Sequence, residues 1–258
     1  MKQAFEISYR APFGQSMHVC LKYIDVEQHE RQADLLMHTE DGNLWTVETM
    51  GSVVSHTPVR SIVYHYQLED NDGKPLRSEF AGVPRFYVVD PTKNYHFCDI
   101  WRDLPLQTFL YPPAKRKVTE IDTIPFFNES VLFRVSAPHV TDGQSVALLG
   151  SEPTLGAWSE KRYLLMRYVG NGDWMLSINA YALHFPFEFK YVVVDDKSHD
   201  VIAWEKGTNR KVNIKELKAN EQLVIYGGLV RTKCRLAYHD EWLGGDFEAD
   251  HEIQELYI

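Results

Sequence analysis

The chain repeats itself, and that repetition restricts its fold more than any other feature. Gly14-Gln15-Ser16 returns as Gly143-Gln144-Ser145, Leu35-Leu36-Met37 as Leu164-Leu165-Met166, and Trp45 as Trp174, each displaced by 129 positions (143 against 14, 164 against 35, 174 against 45). Matches that share one register point to a duplicated unit. Further along the displacement falls to 125, where Tyr64-His65-Tyr66 aligns with Phe189-Lys190-Tyr191 and Arg85 with Arg210 (189 against 64, 210 against 85). A small change of loop length explains the slip. Each copy then spans roughly 105 residues, the size of one ordinary domain.

A length of 258 residues accommodates two such units. The expected division is a first module over residues 1–108, a linker over 109–127, a second module over 128–232 and an acidic tail over 233–258. The joint falls within Leu104–Asn128, where Pro105, Pro112, Pro113 and Pro125 flank the basic run Lys115-Arg116-Lys117. Proline-rich, charged segments are typical linkers. The tail, with Asp240, Glu241, Asp246, Glu248, Asp250, Glu252 and Glu255, reads as flexible chain or a short helix.

Period-two alternation predicts strands in the second copy. Val131, Phe133 and Val135 share one face, Trp174, Leu176 and Ile178 another, and Phe187, Phe189, Tyr191 and Val193 a third. Asp142-Gly143 reads as a turn before the apolar run Val146–Leu149. Helix is scarce: Asp25–His38 is the best helical candidate, and Ile214–Asn220 a lesser one. The expected class is therefore all-β, two tandem immunoglobulin-like antiparallel β-sandwiches. The polar run Asp195–Asp200 reads as a hairpin turn centred on Lys197, which sets Lys190 across from Trp204 on the outward face. Trp174 alternates inward and reads as core, and Arg210 as a structural ion-pair or backbone partner.

A formal net charge of −9 argues against nucleic acid and an anionic membrane surface as partners, since both require a positive face. It is compatible with a neutral ligand, and aromatic residues make up 13% of the chain. Cys20, Cys98 and Cys234 are dispersed and form no CxxC pair, so neither a zinc site nor a disulfide framework is indicated, and a reducing, cytoplasmic setting is expected. No cofactor, metal site or catalytic residue is expected, for no phosphate loop, ligand cluster or Ser–His–Asp pattern stands out. The 26 residues after Thr232 (233–258) are far short of the roughly 250 that a (β/α)8 barrel takes.

The blocks Val146-Ala-Leu-Leu-Gly-Ser151, Leu155-Gly-Ala-Trp158, Gly172-Asp-Trp174, Phe187-Glu-Phe-Lys-Tyr191 and Ala203-Trp-Glu-Lys-Gly-Thr-Asn-Arg210 occur in order within 128–232. Together they resemble the starch-binding domain, carbohydrate-binding module family 20. The resemblance implies a glucan site made of Trp158, Trp204 and Lys190, with Glu205 and Asn209 in supporting or contacting positions. The family's second, tyrosine-lined site falls on Asp142, a departure, with Tyr168 as the remaining candidate there. In the first copy the corresponding aromatic position is Phe13. That copy has His29 where the second has Trp158 and His65 where it has Lys190, and the position of Trp204 falls near Ser78-Glu79, so its paired-tryptophan site is absent.

Tandem modules of this kind resemble the N-terminal part of the glycoside hydrolase family 77 4-α-glucanotransferases. The resemblance implies α-1,4-glucan or maltooligosaccharide as ligand, and a transferase barrel, covalently linked or separate, as partner. The alternative is a scaffold or dimerisation sandwich that binds no sugar. Exposure or burial of Trp158 and Trp204 distinguishes the two.

Overall fold

The computed structural model describes residues 1–51, 53–54, 56–79, 85–102 and 116–232, together with the backbone of 236–240 and 245–249. The N-terminal half contributes β1 (Lys2–Ser8), β2 (Ser16–Asp25), β3 (Glu30–Leu36), β4 (Leu44–Met50), β5 (Val53–Val54), β6 (Thr57–Glu69), β7 (Pro75–Ser78), β8 (Arg85–Val88) and β9 (Asn94–Ile100). The C-terminal half contributes β10 (Ser130–Ser136), β11 (Gln144–Gly150), β12 (Leu164–Leu165), β13 (Arg167–Gly170), β14 (Asp173–Asn179), β15 (Phe187–Asp195), β16 (Val201–Trp204), β17 (Arg210–Val212) and β18 (Glu221–Leu229). Among the described residues the only helical turns are short 3-10 segments. No helix there is long and apolar enough to cross a membrane.

The fold is all-β, as the alternation predicts. Most pairs are antiparallel, but β1–β9, β10–β18 and β9–β18 are parallel. The last of these joins the two halves. A seven-stranded sheet runs β13-β14-β10-β18-β9-β1-β4, so one hydrogen-bonded layer crosses the whole molecule. A six-stranded sheet built on β2 and β6 belongs to the first half, and a five-stranded sheet built on β11 and β15 to the second.

The shared layer is covered on both faces where the halves meet. Phe133, Trp174 and Leu223 point into the core of the second half. Leu132, Met175 and Val224, adjacent in sequence and therefore on the opposite face, join the core of the first half with Phe5, Tyr64 and Phe97. Every residue of β10 is accordingly buried. The repeat's tryptophans, Trp45 and Trp174, are both core residues. Of the expected linker, Pro105, Pro112, Pro113 and Lys115 lie outside the described residues. In the remainder Ile124 is buried and Ile121 and Phe126 pack on the first core.

Ionic groups pin the seam from both sides. In the first half Arg85 Nη2 donates to Glu79 Oε1 at 2.6 Å and Nη1 to Asp99 Oδ1 at 2.9 Å. Tyr64 and Tyr66 hydroxyls donate to Asp99 Oδ2 at 2.9 and 2.8 Å. The guanidinium lies 4.3 Å from the ring centroid of Tyr226, on β18 of the other half. Reciprocally, Arg134 on β10 pairs with Asp173, donates to Phe86 O at 2.9 Å and lies over Tyr87 at 5.1 Å. Burial pushes the Asp99 carboxyl above its usual range against the pull of Arg85 and the two tyrosine hydroxyls.

The helical expectations are overturned. Over Asp25–His38 the chain ends β2, reverses and returns as β3, paired with β2 from His18↔Leu36 to Ile24↔Glu30. Asp25 makes the reversal: its Oδ1 accepts from the Glu27 and His29 amides at 2.8 and 2.9 Å, and Gln28 takes a left-handed φ of 67°. Ile214–Asn220 is irregular chain between β17 and β18. The expected tail contains a hairpin of β19 (Leu236–Asp240) and β20 (Gly245–Ala249), with Leu236 opposite Ala249. Cys234 lies outside the described residues.

Burial raises the Asp25 carboxyl, but hydrogen bonds from Thr57, His29 and Glu27 outweigh it and hold the pKa at about 2. A depressed folded pKa adds stability that is complete above the unfolded value and lost as pH falls through the folded one. Denaturation midpoints of wild type and Asp25→Asn should therefore differ above pH 4 and converge between about 4 and about 2. A gap that stays constant across that window would assign the loss in the variant to packing alone.

Candidate functional site

The outer face of the five-stranded sheet carries a small apolar patch, Ala147, Leu149, Val192 and Val194, on which Trp158, Tyr163, Val201 and Trp204 pack. β15 explains it. Phe187, Phe189, Tyr191 and Val193 point to the core, so Lys190, Val192 and Val194 share the other face.

Trp204 stands opposite Val192, not opposite Lys190 as expected. The turn is closed by Asp195 N to Asp200 O at 3.0 Å, and the register then shifts beyond Val194↔Val201. That bulge displaces the tryptophan along the ladder. Because 190 and 192 have the same parity, the inference that Trp204 and Lys190 share a face survives the correction.

Trp158 reaches the patch from the Pro153–Leu155 3-10 turn. Gly156, Ala157 and Trp158 all have positive φ, at 86°, 46° and 61°. Gly156 is required there, since a Cβ would lie 2.4 Å from Arg162 O. Two non-glycine residues in the left-handed region cost roughly 1 kcal/mol or more each. Trp158 N to Gly150 O at 2.9 Å and Ala157 N to Glu152 O at 3.0 Å hold them. The loop spends this strain on turning Trp158 back over the sheet.

The two tryptophans meet with ring centroids 6.5 Å apart and planes at 37°. Both are half-buried, one face on the patch. Trp204 Nε1 donates to Glu160 Oε1 at 2.7 Å. Lys190 Nζ donates to Glu205 O at 3.1 Å and Gly207 O at 2.6 Å, which leaves its third proton uncommitted. Asn209 Nδ2 donates to Glu188 Oε2 at 2.8 Å, and this bond, then Lys211, holds the Glu188 carboxyl below its usual range.

Glu205 differs in kind. It is 6% exposed, and its carboxylate accepts from Arg210 Nε at 2.9 Å and from the Arg210 terminal nitrogen. Of the two structural roles expected of it, Arg210 takes the ion pair, and it also lies over the Tyr191 ring at 5.1 Å. The first half reproduces the arrangement with Glu79 and Arg85. There Ser78 takes the place of Trp204, while His29 is bonded to Asp25 at 3.0 Å.

The remaining candidates do not converge. Phe13 is fully exposed between β1 and β2. Tyr168 packs edge-on against Trp174 at 5.3 Å, with Arg116 over its ring. Among the described residues, two groups of potential metal ligands lie elsewhere. In one, His18 spends both ring nitrogens on Asp34 and Glu69, at 2.8 and 3.5 Å, which is an ion-pair arrangement. The other comprises Glu6, His96 and Cys98 on β1 and β9. Neither contains a residue of the tryptophan pair.

Residues 128–224 match the family model described as "Starch binding domain". This segment of the chain is similar to starch-binding domains. Over 188 residues, 65% of its length, the chain is 26% identical to the 4-alpha-glucanotransferase DPE2 of Oryza sativa subsp. japonica, of which it covers 20%. Over 98 residues it is 31% identical to the Starch-binding domain-containing protein 1 of Rattus norvegicus, covering 38% of this chain and 27% of the relative. The chain thus spans about a fifth and about a quarter of these two relatives. Among solved structures, the family 20 module of the maltotetraose-forming amylase from Pseudomonas saccharophila aligns over 38% of this chain and 98% of its own, at 23% identity and a TM-score of 0.30.

Proposed function

We propose that residues 128–232 bind α-1,4-glucan or maltooligosaccharide on the Trp158–Trp204 platform. The observation that carries this reading is the tilt of the two rings. The C–H face of a glucose ring packs on an indole face, whose negative quadrupole suits the polarised hydrogens. Two faces set at an angle suit a curved, helical glucan better than a flat one. Lys190 and Asn209 offer donors and acceptors to the hydroxyl rim. Glu205 positions the platform through Arg210 and through its backbone carbonyl on Lys190, rather than touching sugar.

The wider reading follows from the rice relative. Residues 1–232 act as the non-catalytic glucan-binding part of a 4-α-glucanotransferase system, beside a transferase barrel that is covalently linked or separate. Residues 1–108 then serve as a supporting module, in line with the loss of both tryptophan positions there. Cys20 and Cys98 are free thiols, in keeping with a cytoplasmic setting.

Maltoheptaose titrated against intrinsic tryptophan fluorescence tests the reading. Saturable quenching is expected in the range of about 1 μM to 1 mM, with cellohexaose giving none. A flat response at millimolar maltoheptaose rejects it and favours a scaffold role.

A further inference from the structure

A second concave surface lies at the seam between the halves, and its lining shares no residue with the tryptophan platform. It is an open groove of about 450 Å³ lined by Lys93, Phe127, Asn128, Glu129, Asn179 and Tyr181, among others. Lys93 follows β8 in the first half, Phe127–Glu129 form the entry to β10, and Asn179 and Tyr181 belong to the end of β14 and the 3-10 turn Ala180–Ala182.

Tyr181 is 94% exposed, and its ring rests on a turn that is held firmly. Ala180 N donates to Glu129 O at 2.9 Å, the Asn179 side chain accepts from Tyr181 N at 3.1 Å, and Ala180 and Leu183 are buried on either side. The opposite wall is equally fixed. Buried Gln222 donates to the carbonyls of Phe127 and Asn128 at 3.2 and 2.9 Å, and Lys93 Nζ reaches Asn128 O at 3.3 Å. Phe127 is itself partly exposed. Aromatic side chains presented on a fixed backbone bind with a smaller ordering cost.

The polar lining selects the ligand class. Asn179 has used its side-chain oxygen, so its amide protons are free, and Glu129 has spent one carboxylate oxygen on Asn220 N at 3.0 Å. The groove thus offers donors from Asn179, Asn128 and Lys93 and an acceptor from Glu129. One cation and one anion cancel, so neither a phosphate nor a polycation is favoured. A neutral, polyhydroxylated ring satisfies donors, acceptor and aromatic faces together.

We propose that this groove is a second carbohydrate contact, taking one or two sugar residues of an oligosaccharide against Tyr181 and Phe127. The proposal rests on the glucan reading of the first site. Because Lys93 comes from the other half, the groove is complete only when the two halves are joined.

Isothermal titration of the full chain with maltoheptaose tests it, in wild type, Trp204→Ala, Tyr181→Ala, Tyr181→Phe and the double alanine variant. Wild type should show two classes of site. Trp204→Ala should keep a weak residual class, which Tyr181→Ala in the same background lowers at least about tenfold and Tyr181→Phe preserves. A single class that Trp204→Ala abolishes and Tyr181→Ala leaves unchanged would overturn the groove while the platform stands. No heat in wild type would remove both readings.

Discussion

Replacing Trp204 by alanine should weaken maltoheptaose binding at the platform by at least about 30-fold, or about 2 kcal/mol, the scale of a central aromatic anchor. The loss has two parts. The sugar loses one of its two tilted faces, and Trp158 loses the neighbour 6.5 Å away that limits its motion over the patch. The substitution should cost little in fold stability. Trp204 is half-buried at the end of the short strand β16, and its one side-chain bond, to Glu160, is exposed. Quenching titration and thermal melting of the same sample separate the effects. Binding within threefold of wild type would displace the platform from this site, whatever the melt shows.

Replacing Arg85 by alanine should lower stability by about 3–5 kcal/mol, the usual result of removing one member of a buried ion cluster. For a chain of this size that is roughly a 10 °C fall in Tm. Glu79 and Asp99, with wholly buried side chains, would be left facing each other without their shared cation. Because Arg85 also lies over Tyr226, the loss should be felt in both halves, and circular dichroism should show a single transition at the lower temperature. Arg134→Ala should act similarly from the other side, through Asp173 and the Phe86 carbonyl. A shift under about 2 °C, or two separate transitions, would contradict this account of the seam.

Much of the fold was legible because strand alternation is local. The faces of β14 and β15 follow from parity, and the inward Trp174 agrees with what its sequence position implies, whereas the pairing of Arg210 with Glu205 was visible only in the structure. What stayed hidden depends on distant partners. Leu132, Arg134 and Ser136 look like the wet face of a strand, since the residues that cover them lie dozens of positions away, among them Phe86 and Tyr87. The β15–β16 register was misplaced by a bulge that no composition signal marks. Asp25–His38 looked helical because its reversal depends on side-chain capping by Asp25. At the site, periodicity alone placed Trp204 beside an amine, while Trp158 entered only through resemblance to a family. Tyr181 carried no signal, for a single aromatic residue in a turn belongs to no pattern.

The parallel ladder between β9 and β18 has a consequence for dissection of the molecule. Each of these strands hides its hydrogen-bonding edge with the other, from Glu221↔Asn94 to Ile225↔Cys98. Severing the chain between the halves would uncover both edges, and with them Leu132, Met175 and Val224. An open edge flanked by apolar side chains is a template for self-association. Fragments cut at the apparent joint should therefore precipitate or dimerise, and their failure to bind sugar would reflect insolubility rather than specificity.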